Sequence, residues 1–365
     1  MHANASGRSD RPQVSLDGAN GLVRLADGGR RPVVVVAGNH DSPTFLNAPK
    51  ELLRVLNIHV LASLPASPAE EVLVLKDQVG EAEAIICAVP FLRDRDIRTA
   101  AAGQDMDDRE RDLIHGITKH YSEVCAEAES LRNKLARPVP IIGMGHLFAA
   151  GGSTVEGDGV RNLYVGSLTC VQADAFPSSL DYLALGHLHC PQKVGGKETR
   201  RYSGAPLVMG FGEAEKEKSV CLIEFSESTT PTVTPLTVPV FQAIKRIQGK
   251  WDHIRAELTT LQLEGREVWL EVIYQGEELV ADLRQRLDAL VAGTKLEILR
   301  IRNRRIIEQT LRPVQAEETL AELGHEQVFA RCLDAHEIPA EQRPSLLSAY
   351  QEIVLDLEQD DLMAE

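Results

Sequence analysis

Three stretches of the chain share one pattern: an apolar run, a glycine, then polar residues able to carry chemistry. Residues 33–42 read Val-Val-Val-Val-Ala-Gly-Asn-His-Asp-Ser, residues 139–146 Val-Pro-Ile-Ile-Gly-Met-Gly-His, and residues 182–189 Tyr-Leu-Ala-Leu-Gly-His-Leu-His. A run of β-branched residues, apolar on both faces, predicts a strand buried within an α/β sheet. Glycine at its end permits a sharp turn, and loops outside the carboxyl ends of such strands are where α/β proteins place their functional groups. In an extended segment, side chains two apart point the same way, so His187 and His189 can address one site.

The remaining pattern supplies the frame. A strand is expected over 84–91, and residues 105–136 predict a helix with Leu113, Ile114, Ile117 and Tyr121 on one face. Residues 202–225 read as strands leading away from the site, and Ser226–Pro231 as a turn. From residue 239 the periods alternate: strand 239–247, helix 250–262, strand 267–274, helix 279–291, strand 296–303. Gly249 and Gly293 punctuate this α+β module. Beyond Pro313 the strands give way to helices over 324–335 and 343–358, the second striped by Leu346, Leu347, Tyr350, Ile353, Val354 and Leu357. The first 31 residues have a loop-like composition. The expected divisions are an irregular segment 1–31, a catalytic domain 32–235, an α+β domain 236–310 and a helical segment 311–365.

Composition narrows the class. At 365 residues, two or more domains are expected. No apolar run of about 18 residues exists and no signal-peptide pattern opens the chain, so a cytoplasmic location away from any membrane is expected. Six scattered cysteines without a Cys-x-x-Cys pair fit reduced thiols. A formal charge of −15 argues against coating DNA unaided, so any DNA contact must be local or shared with a partner. The cluster Arg300, Arg302, Arg304 and Arg305 reads either as a solvated face or as a phosphate contact.

Neutral imidazoles and an amide oxygen suit first-row divalent metals. One histidine after a strand is explained as a satisfied polar residue; four of them plus Asn39, all behind glycine-terminated strands, are not. Gly38-Asn39-His40-Asp41, Gly145-His146 and Gly186-His187-Leu188-His189, in this order, resemble the last three signature motifs of calcineurin-like metallophosphoesterases. Ala37–Pro43 leading into Phe45–Pro49, then Leu183–His189, Pro191-Gln192 and Arg201–Pro206, resemble more narrowly the SbcD family of nuclease subunits. Ala205 stands where many such relatives carry serine.

The resemblance implies a calcineurin-like α/β/β/α sandwich, an α+β capping domain and C-terminal partner-binding helices. It implies two divalent ions, manganese foremost, with Asn39, His146 and His187 on one and His189 on the other. His40 would stabilise the phosphate or protonate the leaving oxygen, and Asp41 would hold its tautomer. It further implies double-strand exonuclease and single-strand endonuclease activity on DNA in repair and recombination. Arg300, Arg302 and Arg304 would contact DNA; Leu347, Tyr350 and Val354 would dock an SbcC-type ATPase, two copies of each subunit forming a heterotetramer. The family's opening Asp-x-His and Gly-Asp motifs are not found before residue 33, so an N-terminally shortened member is expected, its second metal site incomplete. Two other readings stay open: an inactive SbcC-binding remnant, and a phosphoesterase acting on small molecules or phosphoproteins.

Overall fold

The computed structural model describes residues 21–97, 106–149, 171–226, 229–276 and 283–303, with isolated positions between 329 and 350. The chain forms two units: Met1–Met209 with Lys216–Pro239, and Gly210–Glu215 with Val240–Glu365.

The first unit opens with helix α1 (residues 21–26) and strand β1 (Val33–Val36), followed by the short helices α2 (Pro43–Asn47) and α3 (Lys50–Val55) and strand β2 (Ile58–Leu61). β1 and β2 pair in parallel as a two-stranded sheet. Ser42 caps α2 by accepting the Phe45 N–H at 3.4 Å, and Pro43 occupies the first turn, where its missing N–H costs nothing. Ile58, Val60, Ala37 and Leu53 form a buried cluster on one side of this sheet, with Ala26 of α1.

The other side of β1 and β2 faces a second, larger sheet. Val34, Val36 and Leu61 pack with Ile86, Ala88, Ile142 and Met144. These belong to a six-stranded sheet of β3 (Val72–Lys76), β4 (Ala82–Ala88), β5 (Ile141–His146), β6 (Tyr182–Gly186), β7 (Gln192–Val194) and β8 (Lys197–Tyr202), in the order β3-β4-β5-β6-β8-β7. Between β4 and β5 run α4 (Asp94–Ile97) and α5 (Met106–Arg132). α5 lays Leu113, Ile117, Tyr121 and Val124 on the far side of the large sheet, against Ile85, Ile141 and Leu183. Fully burying each such side chain stabilises the fold by about 1.5–3 kcal/mol. The layers are therefore helix, sheet, sheet, helix, as the expected sandwich requires. β9 (Ser219–Phe225) and β10 (Pro231–Thr237) form an antiparallel hairpin.

One expectation is corrected. The valine run of β1 reads as buried on both faces, yet all four valines are only half-buried. Its sheet has just two strands among the described residues, so β1 has a neighbour on one side only.

In the second unit β11 (Ala243–Gly249), β12 (Val268–Tyr274) and β13 (Leu296–Asn303) form a parallel sheet in that order. Helices α6 (Trp251–Glu264) and α7 (Leu283–Val291) connect them. Both helices cover one face, where Ile254, Leu258 and Leu287 meet Ile247, Leu270 and Val272. Gly265, at φ 65°, closes α6 in the left-handed conformation that L side chains resist. Of the two expected C-terminal helices only scattered positions are described. Phe329, Leu333, Leu347 and Tyr350 are helical there, Leu333 is buried, and the rings of Phe329 and Tyr350 stack at 4.0 Å. Val354 lies outside the described residues, as do residues 1–20 of the expected irregular segment.

Candidate metal centre

The site lies in the first unit. β5 and β6 are parallel neighbours with His146 in register with Gly186, so His146 and the loop opening at His187 leave the sheet side by side. β1 belongs to the facing sheet, and its following turn brings Asn39 across. The Asn39 Oδ1 and His146 Nε2 atoms stand 2.8 Å apart, and the His146 and His187 ring centroids 5.4 Å apart. The backbones can approach this closely because of glycines. A Cβ on Gly38 would lie 2.6 Å from His146 Cε1, and one on Gly186 would lie 3.1 Å from His146 Nδ1.

Burial first, then the neighbouring His40 and His189, hold the His146 pKa down to about 4. At neutral pH its imidazole is uncharged and keeps a lone pair for a metal or a hydrogen bond. The ring is flanked edge-on by Phe91, whose N–H also donates to the Ala37 carbonyl and ties the end of β1 to the loop after β4. His187 is buried and sits at φ 110°, a conformation L residues avoid and one often retained at functional sites. That bend corrects the extended reading of 187–189. The strand ends at Gly186, so alternation does not govern where His189 points. His189 nevertheless lies close enough to His146 to act on it electrostatically.

His40 is exposed beside Asn39. The expectation that Asp41 fixes the His40 tautomer is corrected, because the structure gives it a different partner. Its Oδ2 accepts the Gly38 N–H at 2.7 Å, and no hydrogen bond joins it to His40 among the described residues. Asp41 thus stabilises the turn that presents Asn39. Arg300 and Arg302, on β13, each reach Glu271, at 3.4 and 3.3 Å. Arg304 lies outside the described residues; Leu347 and Tyr350 are half-buried, with Tyr350 stacked on Phe329.

Two supporting residues carry no local signal in the sequence. Tyr202, fully buried on β8, donates its hydroxyl to the Leu147 carbonyl at 2.7 Å and accepts the Ala149 N–H at 2.8 Å, fixing the loop behind His146. Lys218, buried, donates to the His189 carbonyl at 3.0 Å, which also receives the Ala205 N–H at 3.0 Å. Each acts through backbone atoms far away in sequence.

One amide oxygen and two imidazoles fit a single first-row divalent ion. Among the described residues no three of His, Cys, Asp or Glu come together as a metal-holding group.

Two facing sheets between helices, with an asparagine and histidines gathered at strand carboxyl ends, define an α/β sandwich of the calcineurin-like class. The family model described as the Type 5 capsule protein repressor C-terminal domain, SbcD_C, matches residues 240–337. The D component of nuclease SbcCD from Escherichia coli strain K12 is 37% identical over 316 residues, 86% of this chain and 77% of that protein. The protein of the same name from Rhodobacter capsulatus is 30% identical over 298 residues, 79% of this chain and 71% of its own length. That from Bacillus subtilis strain 168 is 31% identical over 205 residues, covering 56% and 49%. The chain belongs to the SbcD family, the nuclease components of SbcCD.

Proposed function

We propose that the chain is the nuclease subunit of an SbcCD-type complex, hydrolysing DNA phosphodiesters with a divalent metal, manganese foremost, in repair and recombination. The observation that carries this reading is the convergence of Asn39 and His146, from two different sheets, to 2.8 Å beside the ring of His187. Asn39, His146 and His187 would hold an ion that polarises a phosphoryl oxygen and a bound water. The residues themselves do the rest. Buried His187 and Phe148, whose ring centroids lie 6.3 Å apart, wall one side, while exposed His40 would supply a proton to a leaving oxygen. Cleavage is proposed as exonucleolytic on double strands and endonucleolytic on single strands.

Arg300, Arg302 and Arg304 are proposed to meet DNA phosphates, and the helical segment with Leu347, Tyr350 and Val354 to dock an SbcC-type ATPase. Two copies of each subunit are proposed in the assembly. Apolar residues at 56% (Phe45), 70% (Leu52) and 82% (Val55) exposure, on and beside α3, support a face between two copies. Among the described residues no helix is long and apolar enough to cross a membrane, and a cytoplasmic location is proposed.

The test is cleavage of end-labelled duplex and single-stranded DNA by the purified chain with manganese. His146→Ala and His187→Ala should abolish it while the folded far-UV spectrum persists. Cleavage unchanged in both variants would overturn the assignment. Hydrolysis of a small chromogenic phosphodiester without any action on DNA would favour a phosphoesterase of other substrates. That no three of His, Cys, Asp or Glu gather as a metal-holding group among the described residues favours a second reading, a protein that binds SbcC but does not cut by itself. Partner binding with no manganese uptake would support it.

A further inference from the structure

In the first unit an open pocket of about 580 Å³ lies between α5, residues 173–179 and β8. Arg200 of β8, which lines it, is in register with Leu183 near the amino end of β6. His146 closes β5 and His187 follows the last residue of β6, so the metal centre stands at the other end of these strands. None of Asn39, His146, His187 and His189 lines the pocket. Its volume falls within the range of small-molecule sites, about 300–1,000 Å³.

Three groups on its walls lack the partners their chemistry calls for. Arg200 is only 7% exposed. It donates to the Ala173 carbonyl and, at 3.3 Å, to the Phe176 carbonyl. These bonds orient the guanidinium but leave its charge without a carboxylate among the described residues. Arginine is rarely so buried unless an acid pairs with it. Of its five N–H donors, two are used, so donors remain for a ligand. Glu129, half-buried on α5, has no cation within ion-pair distance among the described residues. The Ser179 hydroxyl oxygen is buried without a hydrogen-bond partner. A guanidinium and a carboxylate that line one cavity without pairing leave a place between them for a molecule bearing the opposite charges. At the rim, exposed Lys197 and Asp174 lie 3.4 Å apart and cancel one another. Ala126 and Pro177 add apolar wall.

We propose that this pocket binds a nucleoside monophosphate whose base carries an exocyclic amine. The phosphate takes the spare donors of Arg200, and Ser179 adds its hydroxyl. The amine donates to Glu129, as cytosine N4 does to a carboxylate. Thymine presents a carbonyl oxygen in that place and would leave Glu129 unpaired. A free amino acid has the same pair of charges, but the volume and the apolar wall suit the larger ligand. The choice of a nucleotide rests on the nuclease reading, since exonucleolytic cleavage releases nucleoside monophosphates. The pocket adds to that reading a second site, for the product, apart from the metal centre.

The test is isothermal titration calorimetry of the full chain in EDTA, so that no metal ion holds the phosphate. The ligands are deoxycytidine monophosphate, thymidine monophosphate, deoxycytidine and glutamine. Deoxycytidine monophosphate should bind at least ~10-fold more tightly than each of the others, and equally well to His146→Ala. Arg200→Gln should weaken it at least ~10-fold. Glu129→Gln should erase the preference for cytosine over thymine, because the new amide can donate to the thymine oxygen. Glu129 is half-buried on a helix, so this variant keeps the test valid even if Arg200→Gln unfolds. Affinity unchanged in both variants overturns the proposal, as does the absence of binding by either nucleotide. Loss of binding in His146→Ala overturns it too, by placing the nucleotide at the metal centre. Tighter binding of glutamine would make the pocket an amino-acid site and equally overturn it. If the chain cleaves DNA with manganese but binds no nucleotide in EDTA, only this inference falls. If it binds the nucleotide as described and never cleaves DNA, the nuclease reading falls and the pocket stands.

Discussion

Replacing Tyr202 with phenylalanine removes a single oxygen and keeps the ring that fills the core. That oxygen serves two backbone groups of the loop after His146, the Leu147 carbonyl and the Ala149 N–H. Leu147 and Ala149 are 4% and 0% exposed, so water cannot replace the lost partner without opening the loop. Leaving one buried polar group unsatisfied costs roughly 1–3 kcal/mol, and two are left here. The expected loss of stability is about 2–6 kcal/mol, at the high end for one substitution. Urea unfolding followed by circular dichroism should show a lower midpoint with an unchanged slope, the signature of lost stability alone. His146 lies one residue before Leu147, so manganese affinity measured by electron paramagnetic resonance should fall severalfold in the same variant. A stability change below about 0.5 kcal/mol, with manganese affinity intact, would refute the reasoning. The hydroxyl would then be a bystander, and the loop would be held by packing alone.

Gly38→Ala should displace the His146 ring, since its Cβ would lie 2.6 Å from Cε1; we expect a loss of about 1–2 kcal/mol from the Asn39 contact and an off-rotamer ring. Gly21→Ala, with nothing within 4 Å of its Cβ, is the control, and equal midpoints for the two variants would contradict the steric argument. Glu71 is fully buried, 2.7 Å from His120 Nε2, and burial raises its pKa above the ordinary 4.5. The folded state thus binds this proton more tightly than the unfolded state. Its contribution is complete below the ordinary value and is lost as pH rises through the folded value. Glu71→Gln should remove that part of the decline in urea midpoint from acidic to neutral pH, and an identical pH profile would show that Glu71 does not cause it. Leu52→Asp with Val55→Asp should convert a dimer to a monomer in sedimentation analysis; a wild-type chain that is already monomeric would remove the basis for the two-copy face.

The strands carrying the site were legible because buried parallel strands are continuous apolar runs, and glycine marks where each one ends. The module over β11–β13 was equally plain, since its alternation of period 2 and period 3.6 is local. What stayed hidden depends on partners distant in sequence. Four valines cannot report how many strands flank them, so the half-burial of β1 is invisible in the chain. The bend at His187 follows from φ 110°, which no neighbouring residue type announces. Asp41 looks like a partner for His40 because the two are adjacent, but a short carboxylate three residues after a backbone N–H closes a turn more readily. Lys218 sits in Glu-Lys-Glu-Lys, which reads as a solvated run, yet its ammonium is bound to the His189 carbonyl. Glu271 sits among apolar residues, and only the register of three strands reveals the guanidiniums around it.

Among the described residues the β1–β2 sheet has two strands, and this has a kinetic consequence. A pair of strands is marginal alone, whereas the six-stranded sheet behind it is tied together by α5 and a continuous core. Local opening therefore begins at β1 and β2, with a smaller free energy than global unfolding. Amides of Val34 and Val36 should exchange with deuterium well before those of Ile85 and Ile141. Asn39 rides on the sheet that opens first and His146 on the one that opens last. The lifetime of the assembled centre is then set by the closing of a two-stranded flap over an enduring histidine platform, and whatever binds across Asn39 and His146 will slow that exchange.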